Sequence, residues 1–142
     1  MLIGVDQYQS VDLEALEGAV ADTLSVCDYL HEKLHVPLNQ IAILHNETAT
    51  RTAIIQQLHL LRKRHTLHGG DPILIFFAGH GAQAKAPPNW TTKTYEMLCP
   101  HDFIPETTKG IVGQGISDIA FGAQLRDLAK EKGDNIVRCH IT

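Results

Sequence analysis

The chain has 142 residues, enough for one domain or most of one, with a core of its own. Apolar residues make up 44% and charged residues 20%, which excludes disorder as the dominant state. A net charge of -4 leaves no basic surface for nucleic acid, and no run of 18 apolar residues predicts a membrane span. The three cysteines are far apart and no signal peptide is recognisable, so we expect a cytoplasmic protein.

Strands and helices alternate along the first half of the sequence. The apolar pattern predicts, in chain order, a strand over 2–5, a helix over 16–34, a strand over 41–44, a helix over 50–64 and a strand over 72–78. The last of these is a continuous apolar run, which is typical of a strand buried on both faces. We therefore predict an α/β domain with a mainly parallel sheet that helices cover on both faces.

The second half gives weaker signals. It predicts an exposed loop over 82–94, a short strand over 95–99 and a loop over 105–116. A third helix follows, capped by Ser117 or Asp118 at its start and by Gly133 at its end. A last strand begins at residues 136–137 and has almost no predicted length.

His80 is the strongest candidate for a functional residue. Functional sites in open α/β sheets form beyond the carboxyl ends of the strands. His80 stands there, between Gly79 and Gly81, directly after the most buried predicted strand. Glycines on both sides let the backbone approach a ligand and leave N–H groups to face developing charge. This setting favours a functional histidine over a structural one.

Cys139 is the second candidate. A cysteine thiol is a strong nucleophile once a base lowers its proton affinity. If the last strand lies beside the strand over 72–78, Cys139 and His80 emerge at one sheet edge as a Cys–His dyad. A frayed terminal thiol explains Cys139 equally well. Cys27 is predicted to lie in the core, and Cys99 either in the core or in a loop.

Residues 31–35 spell a zinc-peptidase pattern. His31 and His35 are four residues apart, and Glu32 stands where such enzymes carry a general base. Pro37 places the pattern at the end of a helix, and no third ligand follows at short spacing. A zinc peptidase is therefore only a remote alternative.

Five stretches of the sequence resemble the caspase-type peptidase domain, and its fungal metacaspase-like branch in particular. They are residues 2–8 (LIGVDQY), 16–22 (LEGAVAD), 71–82 (DPILIFFAGHGA), 97–102 (MLCPHD) and 132–136 (KGDNI). The FFAGHG block is the most specific of them. Together they cover nearly the whole chain in the family's order.

The resemblance implies a three-layer α/β/α fold and a cysteine-type endopeptidase acting on peptide or protein substrates. It implies His80 as general acid/base and Cys139 as nucleophile, because Cys139-His140 matches the C-H pair of the family's D-x-C-H-S-G motif. The backbone N–H groups of Gly81 and Cys139 would form the oxyanion hole. No cofactor is required by the sequence, although the family allows a dependence on calcium and a role in apoptosis-like cell death.

The sequence departs from the family at its carboxyl end. Val137 stands where the motif has its Asp, and Ile141 and Thr142 stand where it has Ser and Gly. We expect residues 1–142 to be the large-subunit part of the domain, without the strands of the small subunit. The alternative function is a catalytically inactive scaffold or regulator. An exposed sheet edge would allow self-association.

Overall fold

A computed structural model describes residues 1–105 and 115–141. The strands are, in chain order, β1 (Leu2–Gly4), β2 (Ile43–His45), β3 (Ile73–Ala78), β4 (Gly81–Lys85), β5 (Thr94–Leu98), β6 (Ile116–Ser117) and β7 (Ile136–Ile141). The α-helices are α1 (Ala19–Asp28), α2 (Arg51–Lys63) and α3 (Asp118–Lys132). A π-helical segment (Tyr29–Lys33) extends α1, and 3-10 turns span Leu38–Gln40 and Asn46–Thr48.

Four strands form a parallel sheet in the order β2-β1-β3-β7. The two central strands are buried: Leu2 and Ile3 of β1 have no exposed surface, and Ile75 and Phe77 of β3 are 1% exposed. A strand buried on both faces has an unbroken apolar sequence. β1 and β3 confirm the strands predicted over 2–5 and 72–78.

Helices cover both faces of this sheet. Alternate residues of β3 belong to two separate apolar clusters, as the period of a strand requires. Phe77 packs in one cluster with Ile54 of α2 and Leu128 of α3, whereas Phe76 packs in the other with Cys27 of α1. The predicted three-layer α/β/α fold with a mainly parallel sheet is confirmed.

A second, antiparallel sheet follows β3 and has the order β4-β5-β6. The prediction of an exposed loop over 82–94 is wrong for β4. Small and polar residues alternate along Gly81–Lys85, so the segment carries no apolar signal, and its pairing with β5 provides the strand. Most of the predicted loop over 105–116 lies outside the described residues, and its last residue, Ile116, is in β6.

The helix boundaries follow their capping groups. Thr50 accepts a hydrogen bond from the N–H of Ala53 at 3.2 Å, and Ser117 accepts one from Ala120 at 3.2 Å, as predicted. Gly133 ends α3 with a φ of 86°. Among residues 1–105 and 115–141, no helix is long and apolar enough to cross a membrane.

The start of α1 differs from the prediction. The helix begins at Ala19 and not at residue 16, because the carboxylate of Asp6 accepts hydrogen bonds from the N–H groups of Ala19 (2.7 Å) and Val20 (3.1 Å). Asp6 thus caps α1 from 13 residues away in the chain. Local sequence patterns cannot predict a cap of this kind.

β7 is longer than predicted. It runs over six residues beside β3, from the pair Ile73–Ile136 to the pair Ala78–Ile141. β7 lies at the edge of the sheet, and Val137 and Ile141 are 58% and 53% exposed. Exposure explains the weak sequence signal, because the strand includes Arg138 and His140 as well as apolar residues.

Candidate functional site

Polar residues gather at the carboxyl ends of β1, β2 and β3, where the fold predicts a site. Two of them hold the backbone in place. Asp6 caps α1, and the side-chain oxygen of Asn46 accepts hydrogen bonds from the N–H groups of Asp6 (2.9 Å) and Gln7 (3.1 Å). His45 lies 2.6 Å from the hydroxyl of Thr23, and burial lowers the pKa of His45. The side chains of Asp6, Asn46 and His45 are thus engaged in hydrogen bonds that hold the fold, and His80 stands at the same edge after β3.

His80 is partly buried and its ring is oriented by the backbone. Its Nε2 atom lies 2.8 Å from the carbonyl oxygen of Glu14. A carbonyl oxygen can only accept, so Nε2 carries the hydrogen in this contact. In the neutral ring Nδ1 is then the basic nitrogen. This tautomer is suited to accepting a proton from a nucleophile at Nδ1.

Tyr8 contacts both the ring and the backbone of His80. The two ring centroids are 5.1 Å apart, and the hydroxyl of Tyr8 accepts a hydrogen bond from the His80 N–H at 2.7 Å. The hydroxyl also donates to the carbonyl of Val5 at 3.2 Å. Burial raises the pKa of Tyr8 to about 12, so its phenol stays protonated. Sequence reasoning missed this residue because the contact joins positions 72 apart and follows no periodicity.

The strand register does not set Cys139 level with His80. The parallel register pairs Cys139 with Phe76, and His80 stands four positions beyond Phe76 along the same direction. β3 ends at Ala78 and the chain bends at Gly79, so His80 stands beyond the strand, whereas Cys139 stands beside Phe76 within it. β7 is therefore longer than the sequence predicts, and its register pairs Cys139 with a residue four positions before His80.

The two backbone groups predicted for the oxyanion hole differ in direction. Along the β4–β5 ladder, the His80 carbonyl accepts from the N–H of Cys99 at 3.0 Å, so the next pair, Gly81–Leu98, is of the non-hydrogen-bonded type. The N–H of Gly81 therefore points away from β5. By contrast, Asn135 and Ile141 accept bonds from β3, and the alternation places the N–H of Cys139 towards β3 as well.

A cavity of ≈ 450 Å³ lies between β7, the β4–β5 hairpin and α3. It contains two of the predicted site residues, Gly81 and Cys139, while His80 is not among its described lining residues. Apolar, polar and charged residues form the rest of its lining: Ile75, Phe77, Ala82, Gln83, Glu96, Met97, Leu98, Asp118, Phe121, Arg138 and His140. The cavity adjoins the predicted site on the side of β7.

The cysteines have different environments. Cys27 and Cys99 are buried and Cys139 is exposed, and all three are free thiols. The prediction that Cys27 is a core residue is confirmed, and of the two alternatives for Cys99 the core one is correct. Burial raises the pKa of Cys99 to about 12, so its thiol stays protonated at neutral pH.

The zinc-peptidase arrangement is not formed. The pattern needs both histidines on one face of an α-helix. His31 lies in the π-helical segment with Nδ1 3.0 Å from the carbonyl of Val36, and His35 lies beyond it with a φ of 56°. Within the described ranges, no three His, Cys, Asp or Glu side chains are grouped as a metal site requires.

The α/β/α fold, with a histidine after the carboxyl end of the central strand β3, is the arrangement that the resemblance to the caspase-type domain implies. The sequence model of the metacaspase, peptidase C14 domain matches residues 1–130. The chain therefore belongs to the metacaspase family of cysteine peptidases. The match includes His80 and Gly81 and ends before β7, so it does not extend to Cys139.

A solved structure supports the same fold. The chain is similar to the crystal structure of protein GSU0716 from Geobacter sulfurreducens, with a TM-score of 0.69 and 18% sequence identity. The similarity covers 97% of this chain and 46% of that one, so the chain spans about half the length of the solved protein. No curated protein matches the sequence at a significant level.

Proposed function

We propose that the chain is the large-subunit part of a cysteine-type endopeptidase that hydrolyses peptide bonds in proteins, with His80 as general acid/base. The observation that carries the proposal is the contact between Nε2 of His80 and the carbonyl of Glu14, at 2.8 Å. It fixes the tautomer in which Nδ1 can accept a proton.

The chemistry follows from this tautomer. Nδ1 of His80 removes the proton of a thiol, and the thiolate attacks the carbonyl carbon of the substrate. The outward N–H of Gly81 stabilises the negative charge on the carbonyl oxygen. His80 then gives its proton to the leaving amine, and water releases the acyl group from the sulfur in the reverse sequence.

The family motif suggests Cys139 as the nucleophilic thiol. In the present register Cys139 pairs with Phe76, and a shift by four positions would bring it level with His80. A slide of four residues would keep Cys139 on the same face of β7. It would also have to pull Ile136 away from Ile73 and extend the short connection after Gly133.

The same separation favours a second candidate function. If β7 keeps its present register, the chain is a caspase-fold domain without a working dyad and acts as a scaffold or regulator. The fungal affiliation, a dependence on calcium, a cytoplasmic location and a role in apoptosis-like cell death stay predictions from the sequence. Self-association through the exposed edge of β7 belongs to the second candidate as well as to the first.

Covalent labelling separates the two candidates. The chain is incubated with a peptidyl chloromethyl ketone that carries arginine, and the adduct is located by mass spectrometry. Iodoacetamide serves as a parallel probe of thiol exposure. Since Cys139 is already exposed, its modification alone proves nothing. The comparison is therefore made with His80→Ala and with the matched variant His140→Ala, which removes a histidine next to Cys139.

If the dyad is assembled, His80→Ala should lower the rate at which the peptidyl chloromethyl ketone modifies Cys139 by about 100-fold or more, as expected for the loss of a general base. The His140→Ala variant would then be unaffected, whereas iodoacetamide labelling of His80→Ala would also slow, because iodoacetamide reacts with the thiolate that His80 generates. Equal rates in all three proteins would contradict the Cys139–His80 dyad and support the non-catalytic candidate.

A further inference from the structure

The loop that carries Tyr8 is fixed independently of His80. Nδ1 of His101 lies 2.7 Å from the carbonyl of Gln7, and the N–H of Gln9 donates to the carbonyl of His101 at 2.9 Å. The N–H of Gln7 donates to the side chain of Asn46 at 3.1 Å. Tyr8 is thus held between two anchored neighbours. The position of Tyr8 therefore does not depend on its contacts with His80.

The hydroxyl of Tyr8 occupies the junction between β3 and β4. In the pair His80–Cys99, the carbonyl of His80 accepts from Cys99, but the His80 N–H donates to Tyr8. Tyr8 therefore takes one of the two bonds that an antiparallel pair normally exchanges. Through Val5, the same hydroxyl links this junction to the end of β1.

Gly79 makes room for this hydroxyl. A Cβ atom at position 79 would lie 3.0 Å from the Tyr8 hydroxyl and 3.1 Å from the ring of Phe77. Phe77 is 1% exposed and cannot give way easily. Gly79 therefore leaves the space that the Tyr8 hydroxyl occupies, in addition to any access that it gives to a ligand.

We propose that Tyr8 is a positioning residue for His80: its hydroxyl fixes the backbone of the histidine, and its ring limits the rotation of the imidazole. Together with the carbonyl of Glu14, it holds Nε2–H in place and leaves Nδ1 as the base. This inference rests on the proposed function, because positioning matters for catalysis only if His80 is the acid/base.

Two substitutions separate the roles of hydroxyl and ring. Tyr8→Phe keeps the ring and removes the acceptor, whereas Tyr8→Leu removes both. The matched control is Tyr29→Phe, since Tyr29 is 58% exposed at the end of α1. In the full chain, NMR measures amide exchange at His80 and the nitrogen shifts of its ring, which report the tautomer. The spectrum of His80→Gln assigns the ring signals.

We expect Tyr8→Phe to accelerate amide exchange at His80 by about fivefold, as for the loss of one ordinary hydrogen bond, and to preserve the tautomer. Tyr8→Leu should also move the chemical shifts of the two ring nitrogens of His80 towards a common value, because both tautomers are then populated. In an active chain it should lower kcat by about tenfold without changing KM. Tyr29→Phe should change none of these values.

The inference is overturned if Tyr8→Leu leaves the tautomer of His80 as in the wild type, or if Tyr8→Phe leaves its amide exchange unchanged. A wild-type chain that hydrolyses no peptide would defeat the proposed function instead. The ring shifts and amide exchange would still decide whether Tyr8 positions His80, so the two failures are distinguishable.

Discussion

Single residues decide how the three thiols react. Cys27 is 6% exposed and Cys99 is fully buried, with a pKa raised to about 12, whereas Cys139 lies exposed on β7. Since the thiolate is the reactive form, burial protects Cys27 by blocking access, and it protects Cys99 also by keeping its thiol protonated. We expect iodoacetamide to label Cys139 at least tenfold faster than Cys27 or Cys99 in the folded protein.

Mass spectrometry of a time course gives the three rates. The control is the same reaction in denaturing urea, where the rates should converge because every thiol is then solvated. Comparable labelling of Cys99 and Cys139 in the folded protein would show that the core around Cys99 opens readily, contrary to its full burial.

At the scale of elements, the helix caps make measurable contributions. The hydroxyls of Thr50 and Ser117 each accept one hydrogen bond from the first turn of α2 or α3. We expect Thr50→Ala and Ser117→Ala each to lower the free energy of unfolding by about 1 kcal/mol, because an N–H group at the helix start loses its acceptor.

Urea unfolding measures this effect as a shift of the midpoint at a constant m value. Thr52→Ala is the matched control, since Thr52 is exposed on α2 and caps nothing in the described hydrogen bonds. Its effect should stay within about 0.5 kcal/mol. If Thr52→Ala destabilised the chain as much as Thr50→Ala, helix propensity and not capping would explain the loss.

Elements with a strong local signal could be predicted from the sequence, and those defined by distant partners could not. β3 is an unbroken apolar run, and α2 and α3 carry capping residues at their starts, so their bounds follow from short-range physics. β4 has only small and polar residues, and it is a strand because β5 pairs with it. The start of α1 depends on Asp6, which local patterns do not connect with a helix.

At the scale of the whole molecule, the same contrast explains the site. His80 could be predicted because a buried strand, a histidine and flanking glycines are adjacent in the sequence. The position of Cys139 depends on the register between β3 and β7, which are separated by more than 50 residues. A sequence motif names the residue types of a dyad, but the register decides whether the two side chains meet.

For the whole molecule, the exposed edge of β7 affects whether copies of the chain associate with one another. Among the strands of the described residues, β7 pairs only with β3, which leaves its other side without a strand partner there, and Val137 is 58% exposed on it. Such an edge is a template for pairing with another strand, and a charged side chain on it opposes pairing. We expect the chain to self-associate at high concentration and Val137→Lys to weaken that association by about tenfold.

Sedimentation velocity over a concentration series measures the association constant. The matched control is Leu60→Lys, because Leu60 is 52% exposed but lies on α2, near the residues that precede β2 at the opposite edge of the sheet from β7. It introduces the same charge without touching a strand, so it separates a local effect at β7 from general repulsion between molecules. A wild-type chain that stays monomeric at every concentration, or an equal effect of Leu60→Lys, would contradict association through β7.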